Sequence, residues 1–140
     1  MAPAVAVLDT DVSSLIVKQK LPGPMAARLI GWETCITFVT YGELTQWVEL
    51  RLWGTQRKAR LDEWLDRQPV ILGDADVATV WGQLSARATQ DGKPRPTNDS
   101  WIAACCLTYG LPLATLNAKD FRYYEAEHGL QLLTPKDPTS

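Results

Sequence analysis

Histidine occurs once in this chain of 140 residues, at His128, and cysteine three times, with no C-x-x-C pair. A tetrahedral zinc site draws four nitrogen or sulfur ligands from short local spacings, so this pattern excludes structural zinc as the organising element. Cys105 and Cys106 lie inside an apolar helical run and read, with Cys35, as buried thiols. Long hydrophobic runs are also missing: Asp, Lys, Gln or Pro interrupts each one well short of the ~20 residues that cross a bilayer. The stretch from Met1 to Leu8 has no basic flank and passes directly into Asp9, which argues against a cleaved leader. A soluble, cytoplasmic protein is expected. Neither charge dominates, since 14 Lys and Arg stand against 16 Asp and Glu for a formal net charge of −2. At first sight that balance disfavours a nucleic-acid partner, since phosphate binding usually rests on a basic surface. Acids that bind divalent ions still count as negative in that sum, although their loaded site attracts phosphate.

Apolar residues make up 46% of the chain and recur along its whole length without an internal repeat, which fits one core and a single domain spanning residues 1–140. Val5 to Leu8 read as a buried strand ending at Asp9, followed by a helix that Asp11 can cap, with Val12, Leu15 and Ile16 on one face. Pro22-Gly23-Pro24 stops that helix, and a short one follows from about Met25 to Gly31. Cys35 to Val39 include a β-like stretch, after which Thr40 starts a helix to Trp53, with Thr40 and Glu43 at capping-box spacing. Leu61, Trp64 and Leu65 mark the next helix, Val70 to Leu72 a strand, and Asp74 or Asp76 the cap of a helix bearing Val77, Val80, Trp81 and Leu84.

Gln90 to Thr97 form a Pro- and Gly-rich loop, and a helix runs from Asp99 to Tyr109, closed by Gly110. A strand over Leu113 to Leu116, a loop over Asn117 to Asp120, a helix over Phe121 to Glu127 and a strand over Leu130 to Leu133 complete the pattern. Alternating strands and helices predict a mostly parallel sheet of about four or five strands, with ligands at the strands' carboxyl ends.

Four acids fall where such a sheet gathers them: Asp9 after the first strand, Glu43 early in a helix, Asp99 in a first turn, and Asp120 after a late strand. Taken singly, Asp9 and Asp99 read equally well as helix caps, Glu43 as half of a capping box and Asp120 as a solvated turn residue. Taken together they describe one site. Packed carboxylates repel until protons or a cation compensate them, and hard oxygen donors suit Mg²⁺ or Mn²⁺.

Four segments in order carry a resemblance. Val5-Ala6-Val7-Leu8-Asp9-Thr10-Asp11 resembles the opening of PIN domains, and Thr40-Tyr41-Gly42-Glu43-Leu44 is similar to their second motif. Asn98-Asp99-Ser100-Trp101-Ile102-Ala103-Ala104 resembles the third, and Leu113 to Phe121, with Thr115 and the closing Asp120-Phe121 pair, the fourth. The likeness spans roughly residues 5–133 and points to ribonucleases of the VapC toxin type. It implies a PIN-like α/β/α sandwich and a metal-dependent endoribonuclease that uses Mg²⁺ or Mn²⁺ to cut tRNA, rRNA or another structured RNA. Asp9, Glu43, Asp99 and Asp120 are then the catalytic and metal-binding acids. Asn117 is an alternative fourth ligand, Thr10 and Thr115 are supporting hydroxyls, and Asp11 is either a helix cap or an outer acid. The same resemblance implies a VapB-like antitoxin, a homodimer, and DNA contact only through the antitoxin.

Lys93, Arg95, Lys119 and Arg122 flank the acidic motifs and suit RNA phosphates, or else form a solvated surface. Six tryptophans are available for base stacking, although Trp47, Trp64, Trp81 and Trp101 fall at core-like helical spacing. Leu44, Trp47, Leu52, Trp53, Leu61 and Trp64 make either core or a groove for an antitoxin helix. Two rival readings stand beside the nuclease. Asp9-Thr10-Asp11 also matches the nucleophile motif of haloacid dehalogenase-like phosphatases, apart from Ser13, and a PIN fold can serve as a binding module without catalysis.

Overall fold

The β-branched and apolar run Val5–Leu8 forms a strand, β1, that lies at the centre of five parallel strands in the order β3-β2-β1-β4-β5. The computed structural model describes residues 4–135. Around β1 stand β2 (Glu33–Thr37), β3 (Val70–Ile71), β4 (Leu113–Ala114) and β5 (Leu132–Leu133). The helices that join them are α1 (Thr10–Val17), α2 (Gly23–Arg28), α3 (Phe38–Leu50), α4 (Thr55–Arg67), α5 (Ala75–Gln90), α6 (Thr97–Tyr109) and α7 (Ala118–His128). The expected α/β/α sandwich is present, and every strand pairing in it is parallel.

Successive strand residues face opposite sides of the sheet, so each strand feeds two cores. Val7, Cys35 and Leu113 pack with α5, α6 and α7 residues such as Val77, Ile102 and Phe121. Ala6, Leu8, Ile36, Ala114 and Leu133 pack on the other face with Val12, Met25, Leu44 and Leu61 from α1 to α4. Continuous apolar strands are what burial on both faces requires. No helix among the described residues is long and apolar enough to cross a membrane.

The strand order reverses between β1 and β4, because the chain walks outward through β2 and β3 before returning to the other side. In open α/β sheets that reversal leaves a crevice beyond the carboxyl ends of the two strands. Pairing of Leu8 with Ala114 brings the next residues, Asp9 and Thr115, side by side at the crevice, where the Asp9 N–H donates to the Ala114 carbonyl at 2.9 Å.

Several element starts differ from the sequence reading. Asp9 caps α1, its carboxylate accepting from the Thr10 N–H, so Asp11 lies inside the first turn and is not the cap. The Thr37 hydroxyl accepts from the Thr40 N–H, so α3 begins at Phe38, and Thr40 is neither its start nor half of a capping box. Phe38 and Val39, placed with a β-like stretch from sequence, are therefore helical. Asp99 is the third residue of α6, and Asp120 belongs to the first turn of α7 instead of a loop.

Replacing a hydroxyl cap by Ala costs about 1 kcal/mol, whereas truncating a fully buried Ile to Ala costs about 2–5 kcal/mol. Urea unfolding is therefore expected to show a small loss for Thr37→Ala and a several-fold larger one for Ile36→Ala, which is 0% exposed between β1 and β3.

Candidate active site

Asp9 is only 6% exposed, yet both of its carboxylate oxygens accept hydrogen bonds. Oδ1 takes the Thr10 N–H at 2.8 Å, and Oδ2 takes the hydroxyl of the fully buried Thr115 at 2.8 Å. Thr115 in turn accepts the Asn117 N–H at 2.9 Å, which fixes its rotamer and leaves its proton for Asp9. Glu43 is held from α1: the Thr10 hydroxyl donates to its Oε1 at 2.8 Å. Because the one Thr10 proton goes to Glu43, the buried Thr40 hydroxyl 2.9 Å away is the donor in that pair. The Asn117 side-chain amide donates to the Asp11 carboxylate.

Asp99 enters from the first turn of α6 and Asp120 from that of α7. The positive ends of helices α1, α6 and α7 thus meet at the crevice, where they favour carboxylates and phosphates. That favour does not offset the crowding. Burial, foremost, pushes the Asp99 carboxyl up to about 6, with the charges of Asp120 and Glu43 adding to it, Arg95 opposing and Asp11 adding further. Burial likewise lifts Asp9 to about 6 against the hydrogen bonds from Thr115 and Thr10, with Asp11 and Asp99 adding to the rise. Asp9, Asp11, Glu43, Asp99 and Asp120 therefore share one electrostatic field.

Among the described residues no three acidic, histidine or cysteine side chains close into a ready-made ligand cage. Mg²⁺ seldom needs one, since it keeps several waters and binds through one or two carboxylates with substrate phosphate. The donor set fits such an ion, consisting of hard oxygens whose mutual repulsion a divalent cation relieves.

Of the four cations read from sequence, Arg95 is the one whose charge acts on Asp99, and its guanidinium lies 5.8 Å from the Tyr123 ring centroid. Lys93 and Lys119 are exposed, and Arg122 is ion-paired to Glu125 at 2.9 Å along α7. Asn117 is turned to Asp11, whereas Asp120 is the acid whose charge acts most on Asp99. Trp81 and Trp101 stack on each other with centroids 4.7 Å apart, and Trp101 also walls a cleft with Phe38 and Glu43. The sequence reading missed Thr40 as a site residue. Its signal is a hydroxyl one helical turn before Glu43, at a spacing that also fits a capping box.

A parallel sandwich with carboxylates converging at its switch point is the architecture of a PIN domain, whose family model matches residues 6–127. The tRNA(fMet)-specific endonuclease VapC of Shigella flexneri is 30% identical over 116 residues, covering 81% of this chain and 87% of that protein. Ribonuclease VapC5 of Mycobacterium tuberculosis is 30% identical over 119 residues, covering 81% of this chain and 83% of that protein. The structure of VapBC-5 from M. tuberculosis, a member of the VapBC toxin–antitoxin family, superposes with a TM-score of 0.72 at 29% identity over 94% of this chain and 99% of that one. The chain belongs to the PIN-domain family, in its VapC ribonuclease branch. That membership sets aside the haloacid dehalogenase reading, which Asp9 also fits poorly, with both its oxygens hydrogen-bonded and little of it exposed.

The raised carboxyls set a sign for pH dependence. Between about pH 4 and pH 6 the folded chain binds protons at Asp9 and Asp99 that the unfolded chain, with ordinary carboxyls, has released. Metal-free stability is therefore highest below about pH 4 as far as these two groups decide it, and is lost as pH rises through 6. In chelator, Asp99→Asn is expected to be more stable than the wild type by about 1–2 kcal/mol near pH 7.5, the gap closing toward pH 4. Thermal melts across that range check it, and a wild type at least as stable as the variant near pH 7.5 contradicts the crowding.

Proposed function

We propose that the protein is a Mg²⁺- or Mn²⁺-dependent endoribonuclease, the toxin of a toxin–antitoxin pair, that hydrolyses phosphodiester bonds in tRNA, rRNA or another structured RNA. The observation that carries this is the convergence of Asp9, Glu43, Asp99 and Asp120 on one crevice, with the first and third held near pKa 6 by burial and by their neighbours. Kinship with VapC ribonucleases supports RNA as the substrate, and kinship with a VapBC protein supports an antitoxin partner.

In this reading Asp9 and Asp99 hold the ion, and Glu43 and Asp120 complete the negative shell around it. A bound divalent ion supplies an activated water and offsets charge that builds on the phosphate. Thr115 fixes the Asp9 carboxylate and Thr10 fixes that of Glu43, so both acids are oriented before substrate arrives. Asn117 holds Asp11 in the outer ring. Arg95, beside Asp99, is placed to take an RNA phosphate, with Lys93 and Lys119 exposed nearby in sequence. Arg122 contributes least, being ion-paired to Glu125.

The antitoxin surface is narrower than the sequence suggested. Leu44 and Leu61 belong to the core, while Trp47, Trp53 and Trp64 are half-buried and Leu50 and Leu52 are 70% and 87% exposed. A groove of about 250 Å³ between α1 and α4, lined by Ile16, Val17 and Trp64 together with Gln19, Arg60, Glu63 and Arg67, suits a VapB-like helix that presents both apolar and charged side chains. Homodimerisation is retained as part of the proposal, and any DNA contact is assigned to the antitoxin.

Purified protein with Mn²⁺ is expected to cut structured RNA internally, and Asp99→Asn to abolish the cutting while remaining folded. Thr115→Val is expected to lower Mn²⁺ affinity or activity by about 10- to 100-fold. Full cleavage by Asp99→Asn, or cleavage that persists unchanged in excess chelator, would overturn the assignment. Release of phosphate from monoesters alone would favour a phosphatase, and RNA binding without cutting by the wild type a binding module.

A further inference from the structure

A basic surface does exist, and it lies on the α1 and α3 side of the acids. Lys18 closes α1, Arg51 closes α3, Lys20 follows α1 and Arg57 lies in the first turn of α4. Among the described residues no carboxylate comes within ion-pair distance of any of these four. They stand close enough to repel. The Lys18 ammonium is held below its ordinary range by burial first, then by Arg57, Arg51 and Lys20, with Asp11 opposing.

Two of the four rest on indole rings. The Arg51 guanidinium is 4.0 Å from the Trp47 ring centroid, and the Lys18 ammonium is 5.0 Å from that of Trp53. A guanidinium stacked on a ring keeps its N–H donors pointing outward at its edge, in the fork that fits a phosphate. Beside them opens a cleft of about 310 Å³, walled by Asp11, Lys18, Trp47, Arg51, Leu116 and Asn117. Asp11 and Asn117 also belong to the acid site, so cleft and crevice share a wall.

We propose that this cleft is a strand-binding subsite in which Arg51 and Lys18 hold the RNA phosphate next to the scissile one. The inference rests on the nuclease reading and extends it. Arg95 acts on Asp99 from the α6 side, while Lys18 and Arg51 flank Asp11 from the α1 and α3 side. A single strand laid from one flank to the other passes over the carboxylates with cations before and after the cut. A volume near 310 Å³ is at the small end of ligand pockets and suits about one nucleotide unit. RNA is favoured over an acidic peptide because the cleft leads into the acid crevice, so a strand engaged there brings its adjoining phosphate to Arg51 without a second docking event.

The test uses Asp99→Asn as a non-cleaving parent and short labelled single-stranded RNA of mixed sequence, with Mn²⁺ present and salt varied. Arg51→Gln and Lys18→Gln, each added to that parent, are expected to weaken binding roughly tenfold, as loss of a charge-assisted hydrogen bond does. The slope of log Kd against log salt is expected to become shallower by about 0.7, the value of one phosphate contact on a single strand. Quenching of tryptophan fluorescence by RNA should shrink in Arg51→Gln. Lys18 lies on a different helix from Arg51, so a fold defect in one variant, seen as a lowered melting temperature, leaves the other to decide. Unchanged affinity and slope in both variants, with RNA still bound by the parent, overturn the subsite and leave the nuclease reading intact. A parent that binds no RNA overturns both. Variants that keep RNA binding but lose affinity for a VapB-like antitoxin assign the surface to protein and also overturn the subsite.

Discussion

Asp9 is nearly cut off from water, and its charge is tolerated there only because the chain supplies two donors to it. One donor is the first N–H of the helix that Asp9 itself caps, and the other is a hydroxyl from the neighbouring parallel strand. Strand register, helix start and site are therefore one arrangement. The pairing of Leu8 with Ala114 fixes where Thr115 stands, and Thr115 fixes where the Asp9 carboxylate points. A slip of one residue would turn Thr115 to the other face of the sheet and leave a buried carboxylate short of a partner, which the apolar surroundings penalise strongly.

The same economy of contacts extends through Thr10. Its hydroxyl joins α1 to α3 by way of Glu43 and Thr40, so Glu43 is tethered to the residue following Asp9. Asp99 and Asp120 carry no comparable tether in the described hydrogen bonds, and they arrive instead on the first turns of two helices of the other layer. One half of the site is thus bound into the α1 and α3 layer, and the other half is positioned by the packing of α6 and α7 on the sheet. Burial does most to raise Asp9 and Asp99, and acids on both sides of this division add to it: Asp11 and Asp99 act on the first, and Asp120, Glu43 and Asp11 on the second.

Strand identity was legible in the sequence because burial on both faces leaves an unbroken apolar run, and Val5 to Leu8 shows it without ambiguity. The four acids were legible through their order and their positions after strands or in first turns. Helix starts were not. Thr40 and Glu43 have the spacing of a capping box, but Glu43 bonds the Thr10 hydroxyl across the fold and Thr37 does the capping, a tertiary choice that local spacing does not encode. Asp9 and Asp11 compete for the same cap, and the strand register decides in favour of the first. The Arg51 and Lys18 surface was hidden for a related reason: its members are 33 positions apart, and the near-neutral total charge masks their grouping.

The strands at the two margins of the sheet, β3 and β5, are two residues long. So brief a ladder leaves few free amides and carbonyls for another chain to zip onto, and growth of the sheet by edge-to-edge annealing is discouraged. Association by side chains on helix faces is thereby favoured over strand addition at β3 and β5. There its specificity can be altered by single substitutions without touching the backbone scaffold that carries the acids.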